Sequence, residues 1–192
     1  MKETFKKLIV VICILYLCIG MTATTNSTSA QAATKLPINK KITMVYSSGA
    51  GGWGTVLKLS PNGKFTGTYS DNELGDTGKK YPNGTCYICE FSGKFTNIKK
   101  LNSYTYSMSI SNIKYKKKPG SSWIKNGMKY EASYANGLEE GGTFYFYTKK
   151  APTKKLSEYF MNWYNGAKGN TPKKKLGCYG LHNRITQEGF FS

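Results

Sequence analysis

The sequence predicts a mainly β domain, an antiparallel barrel or sandwich of about eight strands with one C-terminal helix. Three observations predict it. Asn-Gly recurs at Asn62-Gly63, Asn83-Gly84, Asn126-Gly127, Asn136-Gly137 and Asn165-Gly166. Segments between these pairs alternate apolar and polar residues. One later segment changes to helical spacing.

The Asn-Gly pairs at Asn62 and Asn83 follow a proline. Proline presets φ for the first corner of a turn, and Asn-Gly accepts positive φ at the next positions. Such turns between alternating segments indicate hairpins. Trp53, Thr55, Leu57 and Leu59 share one parity, and Phe65, Gly67 and Tyr69 come after the first turn. Tyr87, Cys89, Phe91 and Phe95 share a face, as do Tyr104, Tyr106, Met108 and Ile110. Residues 143–148 form an aromatic strand. One apolar face per strand describes a sheet buried on one side.

Leu156, Phe160, Trp163 and Tyr164 fall at i, i+4, i+7 and i+8, a helical stripe. Thr153, after Pro152, is the expected N-cap, and Gly166 the expected end. A lysine-rich loop comes next, then a last extended stretch from Leu176.

Residues 1–32 read as a secretory signal peptide. Lys2, Lys6 and Lys7 precede an apolar run over residues 8–20, and Ala30-Gln31-Ala32 supplies a small-x-small cleavage site. The run is too short for a membrane span, which needs about 20 residues. Cys18 lies near its end, but lipid attachment wants a small residue before the cysteine and Leu17 is large. Residues 33–192 are then one β-rich domain, secreted and extracellular or retained in the cell wall. A chain of that size buries about two-thirds of its unfolded surface.

Charge is the strongest compositional signal: 28 basic against 10 acidic residues, a net charge of +18. Arg184 is the only arginine. Lysines come in runs, among them Lys40-Lys41, Lys116-Lys117-Lys118 and Lys173-Lys174-Lys175. Such a charge attracts polyanions over long range. Lysine suits diffuse attraction, whereas bidentate recognition of phosphates or bases favours arginine. The expected polyanion-binding residues are Lys116, Lys117, Lys118, Lys173, Lys174 and Lys175, with Tyr115 and Trp123 adding stacking or interfacial contacts.

Catalytic motifs are incomplete. Cys86-Tyr-Ile-Cys89 matches C-x-x-C but lies in a strand, which sends the two thiols to opposite faces about 10 Å apart. A redox motif needs a helix N-terminus, and a disulfide needs Cα atoms within about 7 Å. A disulfide in the mature domain would join Cys178 to a strand cysteine, with Cys86 the expected partner. Cys178 and His182 would meet as nucleophile and base only if the chain turned at Gly180. Asp71, Glu73 and Asp76 share one loop and are candidate Ca²⁺ ligands, although their spacing is not that of an EF-hand. A solvated loop whose carboxylates offset nearby lysines is the plainer reading. Glu139-Glu140 is a second acidic cluster.

Three stretches carry a resemblance: Gly49-Ala50-Gly51-Gly52-Trp53-Gly54-Thr55 through Ser70-Asp71, Tyr81-Pro82-Asn83-Gly84 through Gly93-Lys94-Phe95, and Tyr179-Gly180-Leu181 through Gly189-Phe190-Phe191. The chain resembles an uncharacterised family of secreted proteins and lipoproteins from Gram-positive bacteria, which implies no activity. Locally, Trp53 to Tyr69, with its Gly-Lys-Phe-Thr-Gly-Thr-Tyr strand, is similar to a hairpin of avidin and lipocalin-like barrels. That similarity implies an up-and-down barrel with Trp53 and Tyr69 facing a ligand inside it.

The expectation is a non-enzymatic, basic binding module. Its partners would be anionic polymers or surfaces: teichoic acid, anionic lipid, glycosaminoglycan or extracellular DNA. A small ligand in a barrel interior is a further expectation. The alternative is a secreted carboxylate-dependent hydrolase assisted by Ca²⁺, the only cofactor the sequence suggests.

Overall fold

The structure, a computed structural model, describes residues 30–49, 51–138, 142–169 and 174–192. Most of the expected signal peptide, Glu139-Glu140 and Lys173 lie outside the described residues. The elements in chain order are β1 (Gln31–Ala32), β2 (Ile42–Ser47), β3 (Trp53–Leu59), β4 (Lys64–Glu73), β5 (Thr85–Lys100), β6 (Thr105–Tyr115), β7 (Ser122–Lys125), β8 (Met128–Ala132), β9 (Thr143–Tyr147), α1 (Glu158–Lys168), β10 (Gly180–Asn183) and β11 (Gly189–Phe191).

Eight of the strands close a barrel. Their order is β4-β3-β2-β11-β10-β9-β6-β5, and β5 pairs back onto β4. All eight seams are antiparallel. The choice of barrel over sandwich is thus the outcome of one strand, β5, pairing along both edges. The β7–β8 hairpin attaches to the first residues of β5 in parallel, and β1 pairs with its last two.

The turns explain the hairpins. Asn126 and Gly127 have φ of 52° and 74° and join Lys125 to its partner Met128. Two consecutive positive φ values match the right-handed twist of the strands they connect. Asn165-Gly166 departs from expectation, because both residues lie inside α1. The helix itself begins later than expected. Ser157, not Thr153, is the N-cap, accepting from the Phe160 N–H, and residues Thr153–Lys155 form a separate 3₁₀ turn. Gly169, at φ 73°, ends α1 in place of Gly166.

Inward parity fills the barrel. Met44, Leu57, Leu59, Phe65, Phe95, Met108, Phe144, Phe146, Leu181 and Phe190 form one buried cluster. The segment ahead of β9 folds over one barrel end: the Asn136 carbonyl accepts from Thr55 Oγ1 at 2.8 Å, and the Gly137 carbonyl from Asn183 Nδ2 at 3.3 Å. A second cluster lies outside the wall, where Phe160 and Tyr164 of α1 pack on Tyr147 and Phe191.

Two irregularities in the β5–β6 ladder decide which side chains face out. Register shifts between Gly93 and Phe95 and between Thr96 and Lys99. Asn97 carries a φ of 53°, so Ile98 turns inward after the odd-numbered residues before it. On β6 the inward set passes from Met108 and Ile110 to Ile113, leaving Lys114 exposed. One extra residue in a strand reverses the parity of every later position in it.

Gly67 and Gly93 allow the β4–β5 seam to pack. Phe91 lies directly across from Gly67, and Phe65 across from Gly93. A Cβ at Gly67 would sit 2.4 Å from Phe91 Cζ and 2.6 Å from the Val56 carbonyl oxygen. The backbone oxygen cannot rotate away, so overpacking is unavoidable. Gly67→Ala is expected to destabilise by about 1–3 kcal/mol in urea unfolding monitored by tryptophan fluorescence.

Candidate anion-binding wall

The outer face of β3, β4, β5 and β6 carries a shallow groove built from two adjoining hollows of about 610 and 550 Å³. Lys58, Thr66, Ser92 and Lys114 line both. They are also one row of the sheet: Lys58 pairs with Thr66, Thr66 with Ser92, and Ser92 with Lys114. The groove floor is the backbone of the Phe65–Gly93 and Gly67–Phe91 pairs.

The two ends differ in charge. The first hollow is lined by Lys41, Lys58, Lys64, Lys94 and Lys114, and no carboxylate lines it among the described residues. Lys64 lies directly opposite Lys94. Side chains so placed are about 5 Å apart at Cβ, and like charges there are destabilising. The second hollow adds Thr68, Glu90, Val56, Tyr115 and Lys116. Glu90 Oε1 and Lys116 Nζ are 2.9 Å apart, an exposed ion pair.

Sequence reasoning missed Lys58, Lys64, Lys94 and Lys114 as a group, because they lie on four strands. Their signal was position: each occupies the polar face of its strand.

The expected polyanion residues are divided among separate places. Lys116 and Tyr115 border the groove. Lys117 Nζ lies 4.3 Å from the Trp123 ring centroid, and Trp123 stacks on Tyr130 at 5.5 Å. These contacts engage the indole within the fold. Lys118 is exposed, and its carbonyl accepts from Ser121. Lys174 and Lys175 are exposed beside residues 151–153, near the opposite end of β6, where Thr148 N–H donates to the Tyr104 carbonyl. Lys174 and Lys175 therefore do not share one patch with Lys116, Lys117 and Lys118.

Trp53 and Tyr69 are half-buried and pack against the core at one barrel end. Trp53 meets Tyr46 and Trp163 edge-on at 4.9 and 6.3 Å. Tyr69 donates to Asp71 Oδ2 at 3.4 Å, and burial, reinforced by that carboxylate, pushes its pKa up to about 12. Both rings serve as packing residues over a filled interior.

Asp71, Glu73 and Asp76 do not gather around a common point. Among the described residues no three His, Cys, Asp or Glu side chains are grouped to hold a metal ion. Asp71 faces Tyr69, Glu73 ends β4, and the Asp76 carbonyl accepts from Thr85 Oγ1. The expected disulfide is also overturned, since Cys86, Cys89 and Cys178 are free thiols. Cys86 sits on β5 and Cys178 just before β10, with β6 and β9 between those strands. Three strand spacings of about 4.8 Å exceed the reach of a disulfide.

Burial holds the Cys89 thiol at about 11 and raises Cys178. His182 moves the other way, to about 4, through burial and the Arg184 guanidinium. It lies on β10 beneath α1, 5.0 Å from the Phe160 ring, with Nε2 3.1 Å from Gln187 Oε1. A raised thiol and a lowered imidazole are the reverse of an activated Cys–His pair.

Compared with protein-family models, curated proteins and solved structures, the chain matches none. No helix among the described residues is long and apolar enough to cross a membrane.

The neutral His182 makes a pH prediction. Its folded pKa of about 4 lies below the ordinary 6.5, so the unfolded chain takes up the proton first. Stability is fully present above pH 6.5 and is lost as the pH falls towards 4. The urea midpoint is expected to drop across that window. His182→Gln should flatten the part of the slope above about pH 5, where carboxylates are still ionised.

Proposed function

We propose that the protein is a secreted, non-enzymatic binding module that holds an extracellular polyanion in the lysine-lined groove. The observation that carries this reading is the first hollow, where five lysines converge without a carboxylate among the described residues. The direct Lys64–Lys94 pairing supports it further. A sheet face chosen for stability alone would interleave the two charge signs. An anion lying between these ammonium groups removes their repulsion and releases its own counterions. The net charge of +18 adds long-range attraction that is screened by salt.

The reading puts the protein outside a cell, among teichoic acids, anionic lipids, glycosaminoglycans and DNA, in keeping with the signal-like N-terminus. Lysine ammonium groups fit diffuse or multivalent anions better than a single planar phosphate fork.

Binding of the mature protein to teichoic acid, anionic liposomes and DNA across a salt series is the test. Lys64→Gln/Lys94→Gln is expected to weaken binding and to lower the slope of log K against log salt by about 1–2. Without polymer, the same variant should be more stable than the parent by about 0.2–1 kcal/mol in urea unfolding. Unchanged affinity and slope for every polymer would refute the groove as the anion site.

A further inference from the structure

The groove is chemically asymmetric along the strands, and that asymmetry selects among polyanions. We infer that its ligand is an anionic oligosaccharide, a sugar chain bearing sulfate or phosphate esters, with its charged group at the Lys64–Lys94 end and a neutral sugar face at the Glu90–Val56 end. The inference rests on the polyanion reading and narrows it.

From Lys94 to Glu90 the wall runs four positions along β5, about 13 Å. Three chemistries succeed one another over that distance. The first is ammonium, from Lys64, Lys94 and their neighbours. The second is hydroxyl, from Thr66 and Ser92, the middle of a row that ends in Lys58 and Lys114. The third is the row Val56–Thr68–Glu90, an apolar side chain, a hydroxyl and a carboxylate paired with Lys116.

A uniformly charged phosphate chain would bring an anion against Glu90, whose carboxylate would repel it. A nucleic acid strand would want aromatic platforms under successive bases. The groove floor beneath the lysines is instead the Phe65–Gly93 backbone with Thr66 and Ser92 beside it, and the Phe65 ring is buried in the core. A sugar chain meets every part. Its ester group takes the lysines, and its hydroxyls donate to and accept from Thr66 and Ser92. At the far end a hydroxyl donates to Glu90, and the C–H face of a ring lies on Val56.

The decisive variant is Glu90→Gln, an exposed substitution that preserves shape. If Glu90 accepts from a sugar hydroxyl, binding of a hexasaccharide that carries a single sulfate ester weakens about tenfold, the loss of one hydrogen bond to a charged acceptor. If charge alone matters, removing the carboxylate frees Lys116 and tightens binding. Calorimetry of the mature protein should use that hexasaccharide, a phosphate-bearing oligosaccharide and inorganic polyphosphate, at one ionic strength. The two oligosaccharides distinguish sulfate from phosphate as the ester. The inference expects at least one of them to bind more tightly than polyphosphate and Glu90→Gln to weaken it. Equal or tighter polyphosphate binding, or a Glu90→Gln variant that binds oligosaccharide unchanged or better, overturns it. Should Lys64→Gln/Lys94→Gln still weaken the anions in that case, the polyanion reading stands without the sugar. Should that double variant change nothing, both fall.

Discussion

The sheet closes through β5, and that closure constrains every other feature of the molecule. This strand, Thr85–Lys100, hydrogen-bonds to β4 along one edge and to β6 and β8 along the other. Without its return to β4 the same strands would form an open sheet with two exposed edges, and open edges invite pairing with other chains. A closed wall satisfies its backbone groups internally. It also leaves no freedom over which side chains face in, because the pleat alternates them. The thinnest seam is β11 against β2, registered at Phe191 and Val45. Phe191 is held there from outside by Phe160 and Tyr164 of α1, at ring separations of 4.9 and 5.4 Å. The helix thus secures the barrel where the strand ladder is shortest.

A filled interior pushes polar chemistry to the outside. The inward positions of β3–β6 are spent on Leu57, Leu59, Phe65, Phe91, Phe95 and Met108. Their outward neighbours are Lys58, Lys64, Lys94 and Lys114 with Thr66 and Ser92 between them. The packing that stabilises the barrel therefore gathers the lysines. Folding energy from the inner face must outweigh the repulsion on the outer one. A bound anion would relieve that tension, so ligand and fold would stabilise one another by mass action.

Much of the fold was legible because its signals are local. Alternation in Trp53–Leu59 and around Met108, the turn at Asn126-Gly127 and the stripe through Phe160 and Tyr164 each depend on neighbours a few residues apart. The misreadings have local causes too. Pro152-Thr153 looks like a helix start, but the chain completes a 3₁₀ turn before Ser157 begins α1. Asn165-Gly166 looks like a turn, but the helix continues to Gly169. The site was less legible because it is assembled across strands. Runs such as Lys116-Lys117-Lys118 stand out in sequence yet divide among an ion pair, an aromatic ring and solvent. The isolated lysines of β3, β4, β5 and β6 converge only once register is known. The β6 irregularity matters most here: with unbroken parity from Ile110, Lys114 would point into the core.

The outer wall is divided by what covers it. Over β10 and β11 the helix buries His182 and Phe191, and the second apolar cluster is sealed there. Beside the first residues of β5 the β7–β8 hairpin extends the sheet, and Trp123, Tyr130 and Lys117 satisfy one another. The stretch across β3–β6 has no such cover among the described elements. Its row Lys58–Thr66–Ser92–Lys114 carries no large apolar side chain, so water alone does not drive a protein surface onto it. Two copies of the wall would repel each other for the same reason. A partner with negative charge and many hydroxyls meets neither obstacle. One barrel surface is thus divided into apolar ground under the helix and cationic ground beside it, and the proposed polymer takes the second.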